Sequence, residues 1–334
     1  MFEKTTHIPE TLQEYTWRPI TRNDSVTMNK LLLAVEAHDQ RGWVDTLEDR
    51  ERDINDPESN PATDSLAAFL PDGQMVAYGW VFTPPASDTM CISFLDGAVH
   101  PAFRRRGLGT YIVNWTENRG HQIQHAIPGE QTRFLRLNTH KHLVDRQKLF
   151  EQQGFQPVRY YYRMRRDLSQ PIPDKQLPDH LELQTWNSDL NSAALHVVNE
   201  TFEDHWGNIP LDEDHYQTWI IQHESFHPEL SFMVMDGDQI AGLTINRIRD
   251  AVNEAAGIKE GWIGTLGVRR PWRNQGVASA ILCTSMRAFQ AAGMKSVGLT
   301  VDADNLTGAL RIYERLGFFV VQQINQYSKT IHME

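Results

Sequence analysis

The most explicit chemistry in the chain lies in residues 264–278, GTLGVRRPWRNQGVA. Gly264 to Val268 is short, apolar and β-capable, and Arg269, Arg270 and Pro271 end it as a loop would. From Ala278 onward the apolar side chains recur at Ile281, Leu282 and Phe289, with Ser285 on the same stripe, the spacing of a helix that stops near Gly293. Between strand and helix, Arg273, Asn274, Gln275, Gly276, Val277 and Ala278 form R-x-x-G-x-A. Small residues there let the backbone come close to a ligand, and the first helical turn carries N–H groups without intrahelical acceptors, so the place suits a phosphate. The G-x-x-x-x-G-K-[ST] loop is absent, and the dinucleotide pattern would need glycine where Ala278 and Ile281 stand. The competing reading of this stretch is a basic loop before an ordinary helix.

The same order of features occurs earlier. Met90 to Val99 reads as a strand, Arg104 to Gly109 as R-x-x-G-x-G, and Gly107 to Gly120 as the helix that follows. Arg273 lies 169 residues after Arg104, and Gly317-Phe318 lies 163 residues after Gly154-Phe155, so the chain contains itself twice. In the first copy a strand at Tyr15 to Ile20 and a helix at Val26 to Ala37 precede a hairpin, Ser65 to Leu70 and Met75 to Thr83, turning at Pro71-Asp72-Gly73-Gln74. Thr132 to Leu137 is its next strand and Leu143 to Gln153 its last helix. The second copy gives a strand at Leu181 to Trp186, a helix at Leu190 to Phe202 and a hairpin around Asp236-Gly237-Asp238. It closes with a strand at Ser296 to Val301 and a helix from Thr307 to Leu316, stopped by Gly317. Prolines among polar residues mark a linker, giving domains at 1–165 and 181–334 joined by 166–180. The alternation of strands and helices predicts an α/β (α+β) sandwich in each domain, built on a mixed sheet.

Composition narrows the function classes. A length of 334 residues suits two domains, and a hydrophobic fraction of 40% supports real cores. No run is apolar enough for a membrane span, and the N-terminus lacks a secretory pattern, so the expected location is the cytoplasm. The cysteines, Cys91 and Cys283, belong to no Cys/His cluster, which argues against a disulfide scaffold and against a metal site. A net charge of −11 disfavours nucleic acid as the main partner. It favours a cationic acceptor, and leaves monomer and homodimer open.

R-x-x-G-x-A/G between a strand and a helix resembles the acyl-CoA loop of the GNAT superfamily of N-acetyltransferases. Asn305, Ala309 and Tyr313, at four-residue spacing before Leu316-Gly317-Phe318, resemble that family's second motif. The resemblance covers nearly the whole chain and implies two tandem GNAT-type domains, each a mixed, mostly antiparallel sheet flanked by helices, a layout similar to that of the mycothiol synthase family. It implies an acetyl-CoA-dependent N-acetyltransferase acting on a primary amine of a small molecule or peptide. The rival reading is a non-catalytic acyl-CoA-binding or sensing module.

The resemblance also assigns residues. Leu266, Gly267 and Val268 would offer backbone groups beside a strand bulge. Arg273 to Ala278 with Asn305 would hold the cofactor, and Arg104, Gly107 and Gly109 would do so in the first copy. Tyr313 would protonate the departing thiolate, a step open to a phenol near ~10 against a thiol near ~8.5. Many relatives carry a glutamate base where Trp262 stands here, so Glu260, on the same strand face, is the leading base. His205, within Phe202 to Gly207, is a further candidate able to take a proton near neutral pH. Each has a bland alternative, a charged strand end for Glu260 and a packed His-Trp pair for His205. In the first copy Phe150 replaces Tyr313 and His142 replaces Asn305, so that half is expected to be degenerate.

Overall fold

The computed structural model describes residues 7–42, 46–56, 59–87, 89–304 and 308–332. Its contacts divide the chain into two compact units, one of residues 1–160 with 324–334 and one of residues 161–323. The strands are β1 (Thr16–Arg18), β2 (Ser65–Phe69), β3 (Met75–Phe82), β4 (Met90–Val99), β5 (Thr132–His140), β6 (Gln156–Asp167), β7 (Glu182–Thr185), β8 (Phe232–Asp236), β9 (Gln239–Ile248), β10 (Glu260–Val268), β11 (Ser296–Asp302) and β12 (Phe319–Ile331).

In the first unit β1 to β5 lie side by side in chain order, antiparallel except for the parallel pair β4 and β5. Residues Ile324 to Ile331 of β12 close that sheet against β5. In the second unit β7 to β11 repeat the plan, antiparallel except for β10 with β11, and Tyr161 to Asp167 of β6 close the sheet against β11. Both sheets are mixed and mostly antiparallel. The sequence halves and the contact units therefore differ at their ends, since each sheet takes its closing strand from outside its own repeat. The expected linker 166–180 begins as the end of β6. Beyond it, Leu168 N–H donates to the Lys295 carbonyl at 2.9 Å, and Gln290 and Arg287 side chains donate to the carbonyls of Leu168 and Pro173. It is a strap held to the second unit.

The helices seat where glycine leaves room. Val277–Ala291 buries Val277, Ala280, Ile281, Leu282, Met286 and Phe289, each larger side chain contributing about 1.5–3 kcal/mol. A Cβ at Gly261 on β10 would collide with the Phe289 ring. The helix Leu108–Ala126 is its counterpart, with a Cβ at Gly120 falling 2.6 Å from Leu135 Cδ2. Central strands such as β8 and β9 are buried over most of their length and read as near-continuous apolar runs. Both expected hairpins form, with Gly73 at φ 84° and Gly237 at φ 55° in their turns. The last helix, Ala309–Arg315, is shorter than expected: Gly308, at φ 71°, and Leu316 flank it as caps, and Thr307 lies outside the described residues. Among the described residues no helix is long and apolar enough to cross a membrane.

Candidate active site

The two R-x-x-G loops share a backbone. Asn274 and Gly276 stand at φ 63° and 85°, Arg105 and Gly107 at 63° and 90°. In each, the arginine Nε donates to the carbonyl that ends the preceding strand, Arg273 to Val268 at 3.0 Å and Arg104 to Val99 at 3.1 Å. The chain then turns into the helix, leaving the N–H groups of Gly276, Val277 and Ala278 at a helix start with no intrahelical acceptor. A Cβ at Gly276 would meet nothing within 4 Å, so the space over this turn is open. A helix N-terminus facing open space fits a diphosphate through backbone donors and dipole together.

Beside each loop the sheet opens. β10 pairs with β11 only from Glu260 to Ile263, and β4 with β5 only from Met90 to Phe94, after which each parallel pair parts. Gly264 to Val268 therefore presents a free strand edge running straight into the phosphate loop. Such an edge takes an amide-bearing arm as it would take another strand, and coenzyme A carries two amides between its diphosphate and its thioester. In the second unit the β9–β10 register also shifts between Ile263 and Thr265, a bulge centred on Gly264. The β3–β4 register is unbroken. The bulge thus falls on the strand that carries Leu266, Gly267 and Val268, and only in the second copy. A Cβ at Gly267 would run into Thr201, so the helix Asn191–Phe202 lies tight behind this edge.

Tyr313 is buried, edge-on to Phe318 at 5.8 Å between centroids, in a cluster that includes Leu299 and Val301 of β11 and, at its margin, Leu266 of β10. It thus shares its surroundings with both strands of the opening. Burial pushes its phenol up to about 12, so it is protonated at neutral pH. Asn305 lies outside the described residues.

Glu260 does not stand in the opening. It is 6% exposed at the far end of β10, and its carboxylate accepts from Arg163 at 2.8 Å and from Arg165. Asn253 brackets its backbone on both sides. Two guanidinium groups on one buried carboxylate leave no oxygen to face a substrate, and the paired β10–β11 stretch separates it from the free edge. The geometry does not favour a base here: Glu260 sits in a buried ion-pair cluster away from the free edge. Trp262 meets both Arg163 and Arg249, with their guanidinium carbons 5.3 and 5.5 Å from the ring centre. Arg163, Arg165 and Arg249 escaped the sequence reading because a pairing across strands leaves no local pattern.

His205 is half-buried against the Phe202 ring at 4.4 Å. Loss of water lowers its pKa, Asp302 and Asp204 pull it up, and Arg273 pushes it down. The imidazole is therefore neutral at pH 7 and close enough to feel both the end of β11 and the loop arginine. Arg270 is bound to Asp204, each oxygen at 2.8 Å, and Arg269 to Glu200 at 2.8 Å. Among the described residues no carboxylate lies within ion-pairing distance of Arg273. That makes Arg273 the loop cation open to an anionic ligand.

The comparisons agree with this geometry. The chain is 29% identical to a mycothiol acetyltransferase of Acidothermus cellulolyticus over 244 residues, 70% of each chain. It is similar over 98% of both chains to the crystal structure of a GCN5-related N-acetyltransferase from Sphaerobacter thermophilus, with 26% identity and a TM-score of 0.74. A tandem GNAT protein from the clavulanic acid biosynthesis pathway shares the fold, with a TM-score of 0.69 at 14% identity over 96% of this chain and all of that one. The acetyltransferase (GNAT) family pattern matches residues 31–155 and 192–318. The chain belongs to the GNAT family, with two copies of its domain, and is an N-acetyltransferase with an acyl-CoA cosubstrate.

Proposed function

We propose that the chain transfers the acetyl group of acetyl-CoA to the primary amine of a small molecule, and that the second unit performs the reaction. The observation that carries this reading is the coincidence, in that unit alone, of the bulged free edge, the open phosphate loop and a buried phenol beside both strands. Backbone donors of Gly276 to Ala278 with Arg273 hold the diphosphate, and Leu266 to Val268 hold the amide arm and face the thioester carbonyl. Acetyl-CoA supplies the electrophilic carbonyl. The amine nitrogen forms the new C–N bond as the C–S bond breaks. His205, neutral at pH 7, accepts the proton the amine sheds, directly or through water, and Tyr313 gives its hydroxyl proton to the leaving sulfur.

The relative's name specifies mycothiol, a small molecule, and this supports a small-molecule acceptor over a peptide. A cytoplasmic setting supplies acetyl-CoA. Free-thiol release from acetyl-CoA, measured against a panel of small amines, aminoglycosides, polyamines and peptide N-termini, tests the reading. Amine-dependent release is expected with a small-molecule amine. Tight coenzyme binding with no amine-dependent release would instead make the protein an acyl-CoA sensor.

A further inference from the structure

In the first unit a side chain bridges the opening between β4 and β5. Arg146, in the helix Val144–Gln152 that follows β5, donates from Nη2 to the carbonyl of Gly97 at 3.1 Å. Gly97 lies on the stretch of β4 that has parted from β5, so the arginine spans the gap from one side to the other. Its guanidinium carbon stands 5.5 Å from the centre of the Phe150 ring, and its Nε is buried without a partner among the described residues. Loss of water lowers its pKa, Asp96, Tyr78 and Asp39 support its charge, and Arg41 opposes it. Arg146 precedes Phe150 by four residues as Ala309 precedes Tyr313, so the two hold the same place in their copies. The methyl group of Ala309 cannot reach across.

The phosphate end of the first copy is also taken. Arg104 gives Nη1 and Nη2 to the buried Asp39 at 2.7 and 2.9 Å. His38 Nδ1 lies 2.8 Å from the same carboxylate, and His142 Nε2 lies 2.6 Å from the Asp39 main-chain oxygen. Burial works to raise the Asp39 pKa, but the bonds from Arg104 and His38 outweigh it and hold the carboxyl below its ordinary value. The arginine that meets no carboxylate in the second copy is neutralised in the first, by a group that an incoming diphosphate would have to displace.

We propose that the first unit keeps the loop conformation but takes no acyl-CoA, that Arg146 is the residue that closes it, and that each chain binds a single acyl-CoA. The inference rests on the reading that the second unit's loop and edge hold the cosubstrate. Exchange of backbone amides in the full chain, with and without coenzyme A, is the first test. Protection confined to residues 264–278 is expected, and added protection at 95–109 overturns the inference. Calorimetry with coenzyme A should give one site in the native chain and none in Gly276→Glu, and a site persisting in that variant also overturns it. Arg146→Ala should create a second, weaker site, and a single site in a folded Arg146→Ala protein removes Arg146 as the cause. Absence of binding in the native chain is a different failure, because it sinks the acyl-CoA reading along with the inference.

Discussion

The Nε of Arg273 donates to the carbonyl of Val268 at 3.0 Å, closing the phosphate loop onto the end of the strand that bears the free edge. The bond uses Nε and leaves the terminal nitrogens, which meet no carboxylate among the described residues, for an anionic ligand. Lysine carries the charge as a compact ammonium and lacks the planar fork that closes the loop with one nitrogen and meets an anion with the others. Arg273→Lys should therefore raise the coenzyme A dissociation constant about 10-fold, the order of one charge-assisted hydrogen bond, with thermal stability little changed. Titration calorimetry checks this, and an unchanged affinity would make the closure incidental.

Gly276, at φ 85° with open space around it, separates two effects in its variants. Gly276→Ala should cost about 1–2 kcal/mol of stability through backbone strain alone, read from denaturant unfolding, while still binding coenzyme A. Gly276→Glu adds a long anionic chain in the space above the helix start and should abolish binding. Equal binding by both variants would show that the diphosphate does not sit there.

Glu260 should matter to folding and not to proton transfer. Glu260→Ala leaves Arg163 and Arg165 without their shared carboxylate, a loss of about 3–5 kcal/mol for a broken buried pair, seen as a lower melting temperature. The pH dependence of kcat in the surviving folded protein should match that of the native chain. Loss of an ionisation from the rate profile would return Glu260 to the mechanism.

His205 sets the expected pH dependence. Its pKa is lowered by loss of water, so it is neutral above its ordinary value of ~6.5 and charges only in more acidic solution. If it accepts the amine proton, kcat/KM carries an acidic limb below about pH 6.5, which His205→Gln removes along with most of the rate. The sign for stability follows from the same shift. The unfolded chain binds the proton more readily, so the His205 contribution is complete above the unfolded pKa and is lost as pH falls through the folded one. An unaltered limb in His205→Gln would assign the ionisation to another group.

Much of this was legible in the chain because the signals are local. The loops at Arg104 and Arg273 announce themselves by short spacing, and the repetition by the same order of features at offsets of 169 and 163 residues. Gly276 reads as a small residue that lets the backbone come close to a ligand, and its φ of 85° emerges only in the structure. Legibility failed where pairing is non-local. Nothing in the alternation along β6 or β12 says that Tyr161 to Asp167 will close one sheet and Ile324 to Ile331 the other, since a strand's pattern reports its faces and not its neighbours. Glu260 shared a face with the expected base position, but Arg163 and Arg165, nearly a hundred residues earlier, bind it. Arg146 and Asp39 were invisible for the same reason.

Tyr313 bears the central claim, that the second unit protonates a departing thiolate from a phenol held at about 12 by burial. The most direct measurement is amine-dependent thiol release from acetyl-CoA by Tyr313→Phe beside the native chain, with coenzyme A affinity measured in parallel. A fall in kcat of about 100-fold or more, the usual contribution of a positioned acid, is expected, with affinity unchanged. Native turnover in the phenylalanine protein would contradict it.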